Sequence, residues 1–308
     1  MLPDEGVPAS GAVPPPRRSR GPSAGLGGEG VRALLIAGVS TAVFFGAISV
    51  IVVNAPGWVR LQESFLNAEL FLEAFPKVLE KFWVNVRLFL VAEVLILVFG
   101  LVLAVLRSLP GPVFFPVRLL ATIYVDLFRA LPGLLVIFVL GLGMPALRIE
   151  GVPRDQFFWG VVALALLYSA YVSEVYRAGI ESVHPSQEAA ARSLGLSRWQ
   201  SLRFVVLPQA VRRVIPPLLN DFIGLQKDTV LVSSIGLIEI FRQTQILQAA
   251  RFNFTPYLAT ALIFLLMTIP LARLVDWLLA RERDRRYAGA VKASSRTARR
   301  GRLLGGPR

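Results

Sequence analysis

Cysteine is absent from this 308-residue chain, which removes disulfides, thiolate metal sites and thiol nucleophiles together. A single histidine, His184, leaves no material for histidine-rich metal sites or histidine relays. It stands before Pro185 at a predicted helix entry and reads as a loop residue. No G-x-x-x-x-G-K-[ST] phosphate loop occurs. Neither G-x-S-x-G nor H-E-x-x-H appears, and no paired acids inside the apolar segments suggest an intramembrane protease. No catalytic residue, metal or cofactor is therefore expected on this chain. Alternating barrel strands are missing too, as is any internal repeat strong enough for inverted transporter halves.

What the chain has is apolar length. Hydrophobic residues make up 55% of it and come in blocks, such as Leu34–Val53, Leu88–Leu106, Leu134–Gly143, Trp159–Tyr171 and Leu258–Leu279. Runs near twenty residues match a hydrocarbon layer of roughly 30 Å at about 1.5 Å per helical residue. Every backbone polar group in that layer must be satisfied internally, so helices are the solution. The fold class is an all-α integral membrane protein with about six transmembrane helices. The net charge of +13 is concentrated: residues 281–308 hold ten Lys/Arg against Glu282 and Asp284. Such a tail reads as the positive-inside flank of the last span and not as a nucleic-acid arm.

The charge bias orders the spans. Residues 1–32 form a Pro-, Gly- and Ser-rich tail expected to be disordered and cytoplasmic, with Arg17, Arg18, Arg20 and Arg32 holding it inside. A first helix at 33–54 leads out as a retained anchor, and 55–77 lies outside. The external segment 61–75 is a mixed apolar and acidic helix candidate stopped by Pro76. Spans follow at about 85–106, 121–145, 157–178, 214–240 and 257–280. Five spans thus lie within 78–282, and a basic cytoplasmic tail occupies 283–308. Both termini are expected on the cytoplasmic side.

The loop at 179–213 is long and structured. Ser186 is a predicted cap for a helix over Gln187–Leu194, and Gly195 suits the left-handed residue that closes one. Ser197 and Gln200 make a capping box for a second helix, Arg198–Val206, which Pro208 should end. Ala189, Ala190 and Ala191 keep the first helix thin, so a docking partner can approach its backbone. A DNA-binding helix–turn–helix is a competing reading, but spans on both sides leave no third helix for a small core.

Residues from about 78 to 286, some two-thirds of the chain, resemble the permease subunits of bacterial ABC importers for polar amino acids. The family's inner-loop signature is Glu-Ala-Ala, three residues, Gly, nine residues, then I-x-L-P. Gly195, Val205, Leu207 and Pro208 match its end. Counting back, Ala189 holds the glutamate position, Ala190 and Ala191 the two alanines, while Glu188 lies one place early, about 100° around the helix. YVDLFRALPGLL (124–135) is similar to the family's Y-V-E-x-x-R-G-x-P-L-L, with Ala130 for glycine. SEVYRAGIESV (173–183) and KDTVLVSSIGLIEI (227–240) resemble A-E-I-x-R-G-G-I-x-S and K-D-T-S-L-x-S-x-I-G-x-x-E-L.

The resemblance implies a type I ABC importer permease core, here with an extra N-terminal anchor helix, in a bacterial cytoplasmic membrane. It implies an ATPase-coupling loop of Glu188, Ala189, Ala190, Ala191, Arg192, Gly195, Leu207 and Pro208. The partners would be cytoplasmic ABC ATPase subunits that carry the ATP, an extracytoplasmic solute-binding protein, and a second permease subunit, identical or paralogous. The cargo would be a polar amino acid such as glutamate, glutamine or a basic amino acid. An ATP-independent carrier or channel stays open at this point. So does a membrane-tethered regulator or scaffold using 186–208.

Charges inside spans are costly and usually face the protein interior. Asp126 with Arg129, and Glu174 with Arg177, are each spaced i, i+3 and can self-neutralise as structural pairs. Lys227 and Asp228 are neighbours whose side chains diverge, so each needs a partner elsewhere. With Asn220 and Thr229 they either line a translocation path or form an interhelical ion-pair lock.

Overall fold

The computed structural model describes residues 28–304, with side chains for 31–281. The tail expected to be disordered lies outside the described residues up to position 27, as do the side chains of the basic tail from 282 on. Two compact units divide the chain at Arg60 and Leu61. The first contains α1 (Gly28–Val53), whose apolar stretch Val31–Val53 is exposed along its length.

After α1 come α2 (Trp58–Phe65), α3 (Ala68–Ser108) and α4 (Phe115–Ala130). The next helix, α5 (Gly133–Phe138), passes through a π turn (Val139–Gly143) into α6 (Met144–Ala146). Then follow α7 (Gln156–Glu181), α8 (Pro185–Ser193) and α9 (Arg198–Ser201). A second π turn (Leu202–Val206) leads into α10 (Leu207–Asp228) and a 3₁₀ segment (Thr229–Ile235). Last are α11 (Ile240–Arg251) and α12 (Thr255–Leu304). No strand occurs among the described residues. Four stretches are long and apolar enough to cross a membrane alone, and two bent pairs bring the number to six.

Three expectations need correction, two about prolines and one about a span. Pro76 does not stop a helix, because α3 is capped by Asn67, whose side chain accepts the Leu70 N–H at 3.0 Å, and continues through Pro76. Phe71, Phe75, Val78 and Phe82 form a helical stripe packed on Ile240, Ala259 and Ile263, and that packing outweighs one missing hydrogen bond. Pro208 does not end the elbow's second helix either. The π turn at 202–206 shifts the register, with Leu207 N–H bonding Leu202 O, so helix continues from Arg198 to Asp228. The span expected at 121–145 is instead broken where Pro132 forces Leu131 into extended geometry, and the two halves meet at 106°.

The centre of the second unit is α7. Leu164 and Val172 pack there against Leu88 and Ile96 of α3, Ile137 of α5, Leu225 of α10 and Val232. In lipid the hydrophobic effect does little to drive helices together, so close packing carries association. Glycine permits it: a Cβ on Gly160 would stand 2.5 Å from Val232 Cγ1, and one on Gly100 2.7 Å from Val172 Cγ1.

Candidate functional site

The elbow between α7 and α10 forms from local rules. His184, not Ser186, caps α8: its ring accepts the Ser186 N–H at 3.2 Å, and Pro185 occupies the first helical position, where its preset φ suits and its missing N–H costs nothing. Gly195 closes α8 with φ +86°, and Leu196 N–H reaches back to Ala191 O. Ser197 and Gln200 complete the reciprocal capping box at the start of α9. Because α9 runs on into α10, no detached recognition helix exists for a DNA groove.

Underneath, Val183, Val206 and Ala210 are buried together, and Arg213 donates to the Ser182 carbonyl. Ala191 is buried as well, whereas Ala189, Ala190, Arg192, Gly195, Leu207 and Pro208 face outward and Glu188 is half-buried. The outer surface is strongly apolar: Leu194 is 84% exposed, Trp199 67% and Phe204 64%. Capped short helices holding large apolar side chains in solvent make a surface for another protein.

Just above the elbow, Glu174 gathers cations from three helices. Arg107 of α3 lies at 2.5 Å, Arg177 of α7 at 2.7 Å and Arg129 of α4 at 3.8 Å. The expected Asp126–Arg129 pair is absent among the described residues. Arg129 turns instead to Glu174 and lies over the Tyr171 ring at 5.9 Å, while Asp126 is exposed. Arg177 also pairs with Glu181 at 2.6 Å. Arg107 was not singled out as a partner, because sixty-odd residues of separation hide the contact in sequence.

The polar cluster of the fifth span divides. Lys227 lines an apolar cavity of about 600 Å³ with Phe241, Tyr257, Phe264 and Thr268, and no ion pair to it occurs among the described residues. Asp228 faces a second cavity of about 280 Å³ with Asp221, Tyr168 and Tyr171, and accepts the Tyr168 O–H at 2.7 Å. The two side chains diverge into different cavities, and among the described residues neither has an ion-pair partner. Asn220 is exposed.

Thr229 lies elsewhere than expected. It is fully buried and lines neither cavity. Its hydroxyl donates to Gln226 O at 2.8 Å and accepts from Asn85 Nδ2 at 3.1 Å. The same amide donates to Glu239 Oε2 at 2.8 Å, and its oxygen accepts Ile240 N–H at 3.1 Å. Asn85 had given no signal in sequence beyond being one amide near the outer end of an apolar run. Glu239 was visible only as the acid near the end of the motif at 227–240.

The model of the family "Binding-protein-dependent transport system inner membrane component" matches residues 96–284, and the chain belongs to that family. It is 34% identical over 214 residues to the "Probable glutamine ABC transporter permease protein GlnM" of Bacillus subtilis (strain 168), covering 69% of this chain and 96% of that protein. The "Probable amino-acid permease protein YxeN" of the same organism is 31% identical over 212 residues, covering 68% and 93%. Among solved structures, "Crystal structure of an amino acid ABC transporter with histidines" superposes with a TM-score of 0.63 at 32% identity, over 68% of this chain and 96% of that one.

Proposed function

We propose that this chain is the membrane-spanning permease subunit of an ABC importer for a polar amino acid, driven by ATPase subunits that dock on the elbow. The observation that carries this reading is the capped elbow itself, which holds Leu194, Trp199 and Phe204 out of the protein. A rigid helix in a partner's groove transmits displacement instead of melting. Nucleotide-driven closure of two ATPases would draw two elbows together and turn the helices above them from inward- to outward-facing. An extracytoplasmic solute-binding protein delivers the cargo, and a second permease subunit completes the pathway. Both termini are on the cytoplasmic side. The amino-acid names of the relatives support this substrate class.

The absence of native cysteine makes the test clean. A cysteine placed at Ala190 is expected to crosslink to an ATPase subunit in membranes, with a yield that changes on nucleotide addition. Gly195→Asp puts a charged L-residue at φ +86° beside that contact. It is expected to insert normally and lose uptake. Full uptake by this variant, or no ATPase captured at position 190, refutes the docking assignment.

A further inference from the structure

We propose that Asn85 is a positioning residue for transport: one amide holds both ends of the helix break at 229–239 against α3, and so fixes the turn that carries Lys227 and Asp228. The break is real. α10 gives way at Thr229 to a 3₁₀ segment, Gly236 takes φ +93°, and α11 begins only at Ile240. Inside a bilayer such a discontinuity leaves backbone groups that protein must satisfy.

Asn85 has two N–H donors and one acceptor oxygen, and it uses all three. The donors go to Thr229 Oγ1 and Glu239 Oε2, and the oxygen takes Ile240 N–H. Glu239 in turn caps α11 by accepting Arg242 N–H at 2.7 Å, while the Thr229 hydroxyl reaches back to Gln226 O. The chain of bonds therefore spans from Gln226 to Arg242. Lys227 and Asp228 are the two residues between its first two anchors.

Asn85 is 2% exposed and Glu239 1%, and neither lines either cavity. These side chains are thus set to hold the turn and not to touch cargo. An apolar residue at 85 would remove three hydrogen bonds and leave the buried Ile240 N–H without an acceptor, so the network specifies one geometry for the segment.

The inference rests on the permease reading, and its test separates the two. Ser233 is buried within the 3₁₀ segment, so Ser233→Cys gives the otherwise cysteine-free chain one reporter that reacts when the segment opens. In the assembled complex in membranes, Asn85→Leu removes all three bonds and is expected to raise maleimide labelling at that cysteine by at least about fivefold, the opening that a single net hydrogen bond of about 1 kcal/mol would give. The paired change Asn85→Asp with Glu239→Gln reverses donor and acceptor, and is expected to return labelling towards the original rate. Thr229→Val, a milder variant, removes only the inner anchor. It is expected to raise the KM for uptake while the amount of assembled complex and its ATPase activity hold. Unchanged labelling in Asn85→Leu, failure of the paired change to restore it, or a fall in maximal rate that merely tracks the amount of complex overturns the inference. Absence of binding-protein-dependent uptake by the unmutated complex would instead overturn the permease reading, while the labelling still decides the role of Asn85.

Discussion

At Glu174, one carboxylate serves arginines from three helices, with Arg107 and Arg177 both within 3 Å of it. Removing the acceptor strands cations that cannot all reach water, and that loss exceeds what any one pair contributes. Glu174→Gln is expected to cost of order 2 kcal/mol, less than the roughly 3–5 of a fully enclosed pair because Arg177 and Arg129 are partly solvated. Thermal unfolding in detergent measures it. Arg107→Leu combined with Glu174→Gln is expected to cost less than the sum of the two single changes, since one charge no longer needs a partner. The sequence pointed to Glu174 and Arg177 through their spacing, and that pair forms. It pointed equally to Asp126 and Arg129, which do not pair, because a stronger acceptor sits on another helix. Spacing along one helix reports what can meet, and the tertiary neighbours decide what does.

Among the elements, apolar length and local capping were legible, and their interruptions were not. Gly195 and the Ser197–Gln200 box act as their residue types dictate, since nothing distant competes with them. Pro76 and Pro208 misled because their local penalty is offset by a phenylalanine stripe in one case and a π turn in the other. The break at Pro132 was passed over, because the segments on its two sides are together long and apolar enough for one span. Close helix approach was silent as well, although it depends on single glycines. Gly160→Ala is expected to destabilise the bundle by about 1–3 kcal/mol through the clash with Val232. Val232→Ala in the same chain is expected to recover most of that loss. Denaturation of the single and double variants in detergent checks the compensation.

For the whole molecule, the orientation proposed above rests on the charge bias and the run of spans. The elbow and the α11–α12 corner lie at opposite ends of the bent helix pair that joins them. Phe252 at that corner is 89% exposed, and Leu194 marks the elbow. Single cysteines at the two places are expected to react with a membrane-impermeant reagent from opposite sides: Phe252→Cys from outside the cell, Leu194→Cys only after the membrane is opened. Labelling of both from one side would overturn the proposed topology.

The same corner is tied to the beginning of the second unit. Asn253 Nδ2 donates to Glu63 O at 2.7 Å, Phe254 N–H to Ser64 O at 2.8 Å, and Asn67 N–H to Thr255 Oγ1 at 3.2 Å. The Phe65 and Phe254 rings stack at 5.0 Å. During synthesis, residues 63–67 leave the ribosome nearly two hundred positions ahead of their partners at 253–255. That clasp cannot fasten until the chain has reached the start of its final membrane helix, so the two ends of the second unit join late in synthesis.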